Sequence, residues 1–213
     1  MDSLSLYLPG ILLAYGAFFI GIASPGPNVL AVIGTSMSLG RKSGIALALG
    51  AAGGSFCWAL LTVIGLSALI GAYASALLVI KILGGCYLLW LAFKAFRSAA
   101  AKHDIQAKSL APGTGSFGGF FLRGLIIQMT NPKAALSWIA IISLGLAPGA
   151  PLWVGAVIVL GTAVLSVLLH LLYAVAFSTP LMVVLYSKAR RTIQMALGVF
   201  FAAAGVKLLL SRG

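Results

Sequence analysis

Residues 11–33 read ILLAYGAFFIGIASPGPNVLAVI, an apolar run interrupted just past its centre by Ser24-Pro25-Gly26-Pro27-Asn28. A helix needs about 20 apolar residues to cross the hydrocarbon core of a bilayer, so this run is long enough to span. The interruption is its informative part. Two prolines remove two backbone donors and free the carbonyls those donors would have bonded. Gly26 adds backbone freedom, and Asn28 brings a side-chain donor and acceptor. Freed backbone groups at membrane depth must line protein or a wet cavity, never lipid. A lone proline kink is commonly structural, whereas Pro-Gly-Pro followed by Asn points to a helix broken at a pathway.

Five further runs qualify as spans: Gly44 to Leu66, Ala74 to Phe96, Phe117 to Leu144, Leu152 to Phe177 and Ile193 to Leu210. The whole composition agrees. The chain has 213 residues, 62% of them hydrophobic and only 8% charged. A water-soluble domain is about a quarter charged, so lipid must be the solvent for most of this surface. The first run follows Asp2 with no Lys or Arg before it and is longer than a signal-peptide core, so it reads as a retained helix.

The net charge of +12 comes from 14 Lys and Arg against Asp2 and Asp104 alone. A basic balance can mean nucleic acid, but these residues stand between apolar runs and form no basic face with interleaved aromatics. They set topology instead. Arg41, Lys42, Lys94, Arg97, Lys102, Lys108, Arg123, Lys188, Arg190 and Arg191 fall on one side. Lys81, Lys207 and Arg212 fall on the other. Ten against three places the first side in the cytoplasm and both termini outside.

A weak internal repeat accompanies this pattern. Gly85-Cys-Tyr-Leu-Leu-Trp-Leu-Ala-Phe-Lys94 resembles Gly198-Val-Phe-Phe-Ala-Ala-Ala-Gly-Val-Lys207, and each half carries a Pro-interrupted segment in its first helix, at Pro25 and at Pro132. Three helices per half is an odd number, so the halves must be inverted, as in many secondary transporters. The expected fold is an all-α integral membrane protein. Six transmembrane helices form two inverted three-helix repeats, residues 1–96 and 117–213, with helices one and four broken at Pro. A cytoplasmic linker, residues 97–116, joins them.

The second interruption is Gln128-Met-Thr-Asn131-Pro132-Lys133. Lys133 is the one basic residue too deep to snorkel easily, and a Lys at a helix centre costs about 2.5–3.5 kcal/mol on insertion scales. Neither Asp2 nor Asp104 is placed to pair with it. It can bind a substrate carboxylate, give up its proton, or meet freed carbonyls structurally. His170, in the fifth run and three residues before Tyr173, suits a proton relay or a hydrogen-bonded core position equally. Gly50 and Gly54, with Ala46 and Ala48, give the second helix a small-residue face for close packing. Cys57 and Cys86 have no partner at metal-ligand spacing and read as small packing residues.

Several of these segments resemble the LysE/RhtB family of bacterial amino acid exporters. Ser24-Pro-Gly-Pro-Asn28, Gly40-Arg-Lys-Ser-Gly44 and Ala48-Leu-Gly50 are similar to the start of that family. Gly84-Gly-Cys-Tyr-Leu-Leu-Trp90 resembles its third helix and Asn131-Pro-Lys-Ala134 its fourth. The resemblance runs from about Leu8 to the C-terminus. It implies export of amino acids or their derivatives across the bacterial inner membrane, driven by the proton gradient. It departs at Ser166, near which some members carry an acidic residue, and this leaves the coupling residue open.

The leading expectation is a secondary exporter with a midplane site between helices one and four. The pathway residues are Ser24, Pro25, Gly26, Pro27, Asn28, Gln128, Asn131, Pro132, Lys133, His170 and Tyr173. The expected partners are an amino acid, protons as coupling ion, the lipid bilayer and, left open, a second copy of the chain in a homodimer. No cofactor, metal or nucleic acid is expected. Export of another small solute or of a cation is the alternative, although a cation site would need carboxylates or clustered thiols. A membrane-embedded enzyme would need a paired His and carboxylate or a metal cluster, and ATP-driven transport a nucleotide-binding motif. None of these stands in the sequence.

Overall fold

A computed structural model of the chain describes residues 3–24, 26–72, 74–101, 115–147 and 149–210. Among them run eight α-helices and no strand: α1 Ser3–Ala23, α2 Pro27–Leu39, α3 Arg41–Ala72, α4 Ala74–Ala100, α5 Phe117–Met129, α6 Pro132–Gly145, α7 Leu152–Ala176 and α8 Pro180–Leu210. Among the described residues, four stretches are long and apolar enough to cross a membrane: Ser5–Ala23, Arg41–Gly65, Leu152–Ala176 and Val184–Leu210. A fifth is the pair α5 and α6, bent by 62° at its break. Large apolar side chains such as Ile64, Leu160, Leu168 and Val199 point outward, the surface expected where lipid replaces water.

Both interrupted runs are two helices each. The first divides into α1 and α2 around residues 24–26, and the second into α5 and α6 at Thr130 and Asn131. Pro132 explains the second break. It has no N–H and its ring excludes the carbonyl four residues back, so α5 ends and α6 begins anew with Pro132 at its first position. Asn131 caps that start, its side-chain oxygen accepting the Lys133 backbone N–H at 3.0 Å. Pro25 lies outside the described residues. Gly26 corrects an expectation: its φ of −112° and ψ of 179° are extended backbone open to any residue. The space there is tight rather than the backbone special: a Cβ would stand 3.2 Å from Asn28 Oδ1 and 3.3 Å from Lys133 Cδ, both side-chain atoms that would have to give slightly.

Other boundaries move outward from the apolar runs. Helix α8 begins at Pro180, so Lys188, Arg190 and Arg191 are helical rather than in a loop. Arg41 and Lys42 open α3, and α4 continues through Arg97 to Ala100. Hydropathy marks where charge leaves the hydrocarbon; backbone hydrogen bonding carries a helix past that point. The linker segment 102–114, with Lys102, Asp104 and Lys108, lies outside the described residues. At its end Ser116 caps α5 by accepting the Gly119 N–H at 3.2 Å. Cys57 is half-buried, but Cys86 is exposed, so the packing role expected of Cys86 does not hold.

Close helix contacts fix the bundle. Gly50 of α3 faces the Phe121 carbonyl of α5, and Gly124 of α5 faces the Leu47 carbonyl of α3, with no room for a Cβ at either. Ala46 and Ala48 are fully buried beside them, so the small-residue face of the second run does pack closely. Helix α4 lies along α8, where Gly85 meets the Gly205 carbonyl. One core cluster joins α1, α2, α6 and α7 through Phe18, Val29, Trp138 and Ile158. Another joins α4 and α8 through Leu88, Leu91, Leu197 and Phe201.

Candidate functional site

The two helix breaks meet. Lys133 Nζ donates to the Ser24 carbonyl at 2.8 Å, which bridges the end of α1 to the start of α6. Ser24 O is one of the carbonyls left open where the first helix stops. The second break is closed in a similar way. Trp58 Nε1 of α3 donates to the Gln128 carbonyl at 3.1 Å, the carbonyl that Pro132 leaves without its helical donor. Tyr87 OH of α4 donates to the Lys133 carbonyl at 3.1 Å. The freed Ser24 and Gln128 carbonyls are thus each met from a neighbouring element, as burial requires.

Two cavities lie around this junction, with Asn131 and Lys133 in the walls of both. The larger holds about 410 Å³ and is bounded by Ser24, Gly26, Pro27, Pro132, Tyr87, Trp90, Lys94, Ser98 and Gln194, among others. Its wall extends to Ser98 in the last turn of α4. The smaller holds about 40 Å³, room for a few water molecules. Asn28, Ser55, Gln128 and Ser137 line it. Gln128 is buried and its Oε1 has no hydrogen-bond partner, so an acceptor stands open beside that small space.

His170 is fully buried in α7. Its Nδ1 lies 2.8 Å from the Ser166 carbonyl. A carbonyl can only accept, so Nδ1 carries the proton. In the neutral ring Nε2 is then an acceptor, and Asn28 Nδ2 donates to it at 3.3 Å. The Ser166 hydroxyl also approaches Nδ1 at 3.3 Å. Asn28 therefore connects the histidine to the small cavity that Lys133 borders.

Of the residues expected from sequence, Ser24, Gly26, Pro27, Asn28, Gln128, Asn131, Pro132 and Lys133 gather at the junction, and His170 reaches it through Asn28. Tyr173 is placed elsewhere: its ring packs against Phe177 with centroids 5.8 Å apart. Tyr87, Trp90, Lys94, Ser98 and Gln194 were not anticipated at the site. Lys94 stood in the sequence as one of ten topology-setting basic residues, yet it shares the large cavity with Lys133, and its ammonium lies over the Trp90 ring at 4.4 Å. Tyr87, Trp90 and Lys94 do stand in the segment that repeats between the halves. Gln194 gave no signal at all. Among the described residues no group of His, Cys, Asp or Glu could hold a metal ion.

Residues 19–212 match the family described as LysE type translocator. The chain belongs to that family. It is 30% identical to the uncharacterized membrane protein YahN of Escherichia coli K12, over 98% of this chain and 93% of that one. It is 31% identical to a threonine efflux protein of Salmonella typhi, over 91% of this chain and 94% of that one. A threonine efflux protein of Escherichia coli K12 is 29% identical over the same shares. No solved structure matches the chain. Membership of this family and the apolar helices together make it a multi-pass membrane protein.

Proposed function

We propose that this LysE family member is a secondary exporter of amino acids or their derivatives in the bacterial inner membrane, coupled to protons, and not an enzyme. The observation that carries the reading is the cavity of about 410 Å³ at the meeting of two helix breaks, with the Lys133 ammonium in its wall. The threonine efflux relatives support an amino acid as cargo. Lys133 holds the substrate carboxylate. Its present acceptor is a neutral carbonyl, and an ionised carboxylate is a stronger one. Arriving substrate thus draws Lys133, which lines both cavities, from Ser24 and loosens the tie between the two breaks.

The proposed architecture is six spans in two inverted repeats, residues 1–96 and 117–213, with a cytoplasmic linker at 97–116 and both termini outside. Paired helices support it. Breaks occur in the first span of each half, α3 packs on α7, and α4 packs on α8, each against its counterpart. In that frame the large cavity, reaching Ser98 near the positive end of the bundle, faces the cytoplasm from which an exporter loads. A cation exporter is disfavoured by the chain's acids, which number only Asp2 and Asp104.

The test is efflux of labelled amino acid from loaded vesicles. Lys133→Met keeps length and apolar bulk but removes the charge. Efflux should fall roughly ten- to a hundredfold, the range of a lost charge-assisted hydrogen bond of about 1.5–3 kcal/mol, with the protein still inserted and monodisperse. Near-normal affinity and rate in that variant would exclude the carboxylate-binding role.

A further inference from the structure

The large cavity has a one-sided charge. Lys94 and Lys133 both line it. Among the described residues no Asp or Glu lines it. Two helix N-termini end there, α2 at Pro27 and α6 at Pro132. Each presents the positive end of a helix dipole, and no side chain caps α2.

Three acceptors around it are already engaged by the protein's own donors. The Ser24 carbonyl receives Lys133 Nζ, the Lys133 carbonyl receives Tyr87, and the Asn131 side-chain oxygen receives the Lys133 N–H. The face of an indole is where an organic cation would otherwise settle. Here the Lys94 ammonium occupies the face of Trp90. Lys133 has three donors, and its bond to Ser24 uses one. The cavity therefore offers donors and a positive field, which favour an anion over a second ammonium.

We propose that this cavity selects amino acid cargo of net negative charge, carrying an acidic side chain or an acylated amino group, and that Lys94 sets this preference. The proposal rests on the exporter reading above and names the substrate class of the same site. The cargo's first carboxylate meets Lys133; its second carboxylate or acyl oxygen lies toward Lys94. A zwitterion leaves Lys94 unmatched and brings an ammonium into a positive field. A diamino acid brings two.

The experiment uses the purified full chain in vesicles at zero membrane potential, loaded in turn with aspartate, N-acetylthreonine, threonine or lysine. The two anions should leave at least tenfold faster than lysine, with threonine between them. Lys94→Gln should narrow the anion-to-lysine ratio at least fivefold, and Lys94→Arg, which keeps the charge, should preserve it. Lys94 is exposed, so neither variant removes a buried group. Lysine leaving as fast as aspartate would overturn the proposal, as would an unchanged ratio in Lys94→Gln, and threonine efflux in either case would leave the exporter reading standing. Failure to move any of the four would instead overturn that reading and this one with it.

Discussion

Lys133 donates to a backbone carbonyl across the bundle, and at the residue scale that bond serves two ends. It satisfies a carbonyl that a broken helix exposes, and it keeps an ammonium at the wall of a cavity. A structural lysine needs only a donor in place; a substrate lysine needs its own geometry. Lys133→Arg separates these roles, because a guanidinium retains charge and donors but presents them as a rigid fork. We expect it to keep the fold, judged by melting temperature and monodispersity, while efflux falls to a partial level. His170 presents the same choice. Its Nε2 accepts from Asn28, so a proton added there would leave two donors facing each other and would require the Asn28 amide to turn. That would present a different atom to the cavity Asn28 shares with Lys133. His170→Gln replaces the imidazole by an amide that can still accept from Asn28 but cannot titrate. It should abolish efflux driven by a proton gradient and preserve substrate exchange without one; efflux that stays uncoupler-sensitive in this variant would remove His170 from coupling. The residues of the two breaks were legible in the sequence because proline and asparagine act on their own backbone. Lys94, Tyr87 and Gln194 were not, because they arrive from regular stretches of α4 and α8 and owe their place to packing alone.

At the scale of elements, helix existence was legible and helix length was not. Every apolar run contains helix, but charge patterning reports the hydrocarbon boundary, so the early turns of α8 and the first turn of α3 fell outside the expected spans. The close approach of α3 and α5 was half legible. Gly50 and Gly54 announced a small-residue face, but its partner could not be named until Gly124 stood against Leu47. That contact sets how Gln128, one turn beyond Gly124, faces Gly54 and the small cavity. Gly124→Val would force side-chain atoms into the α3 backbone. Overpacking of this kind costs about 1–3 kcal/mol, and we expect a lower melting temperature, poorer monodispersity and loss of efflux together. Gly65→Ala is the matched control. Nothing lies within 4 Å of the Cβ it would add, and alanine is the better helix former by about 0.5–1 kcal/mol. It should leave efflux unchanged with equal or higher thermal stability. A Gly124→Val protein as stable as the parent would show that α3 and α5 do not need this approach.

For the whole molecule, orientation is the property that joins charge to transport direction. Arg41 at the start of α3 donates to the Ser178 hydroxyl between α7 and α8 at 3.2 Å, and Arg190 of α8 donates to the Ala101 carbonyl just past α4. The basic connections thus tie helix ends together as well as carrying charge. If their end faces the cytoplasm, the large cavity opens toward the cytoplasm and the Ala147 connection, between α6 and α7, lies on the opposite face. Membrane-impermeant thiol labelling decides this. Cys57→Ser and Cys86→Ser remove the native thiols, and efflux is checked in that background. Ser109→Cys then reports the 97–116 linker and Ala147→Cys, at an exposed position, the other side. In intact cells with a permeable outer membrane, Ala147→Cys should label strongly and Ser109→Cys only after the inner membrane is opened. The reverse pattern would place the positive end outside. It would also make the cavity an outward-facing one, and a protein that rests with its lysines toward the outside would be loading cargo from there rather than releasing it.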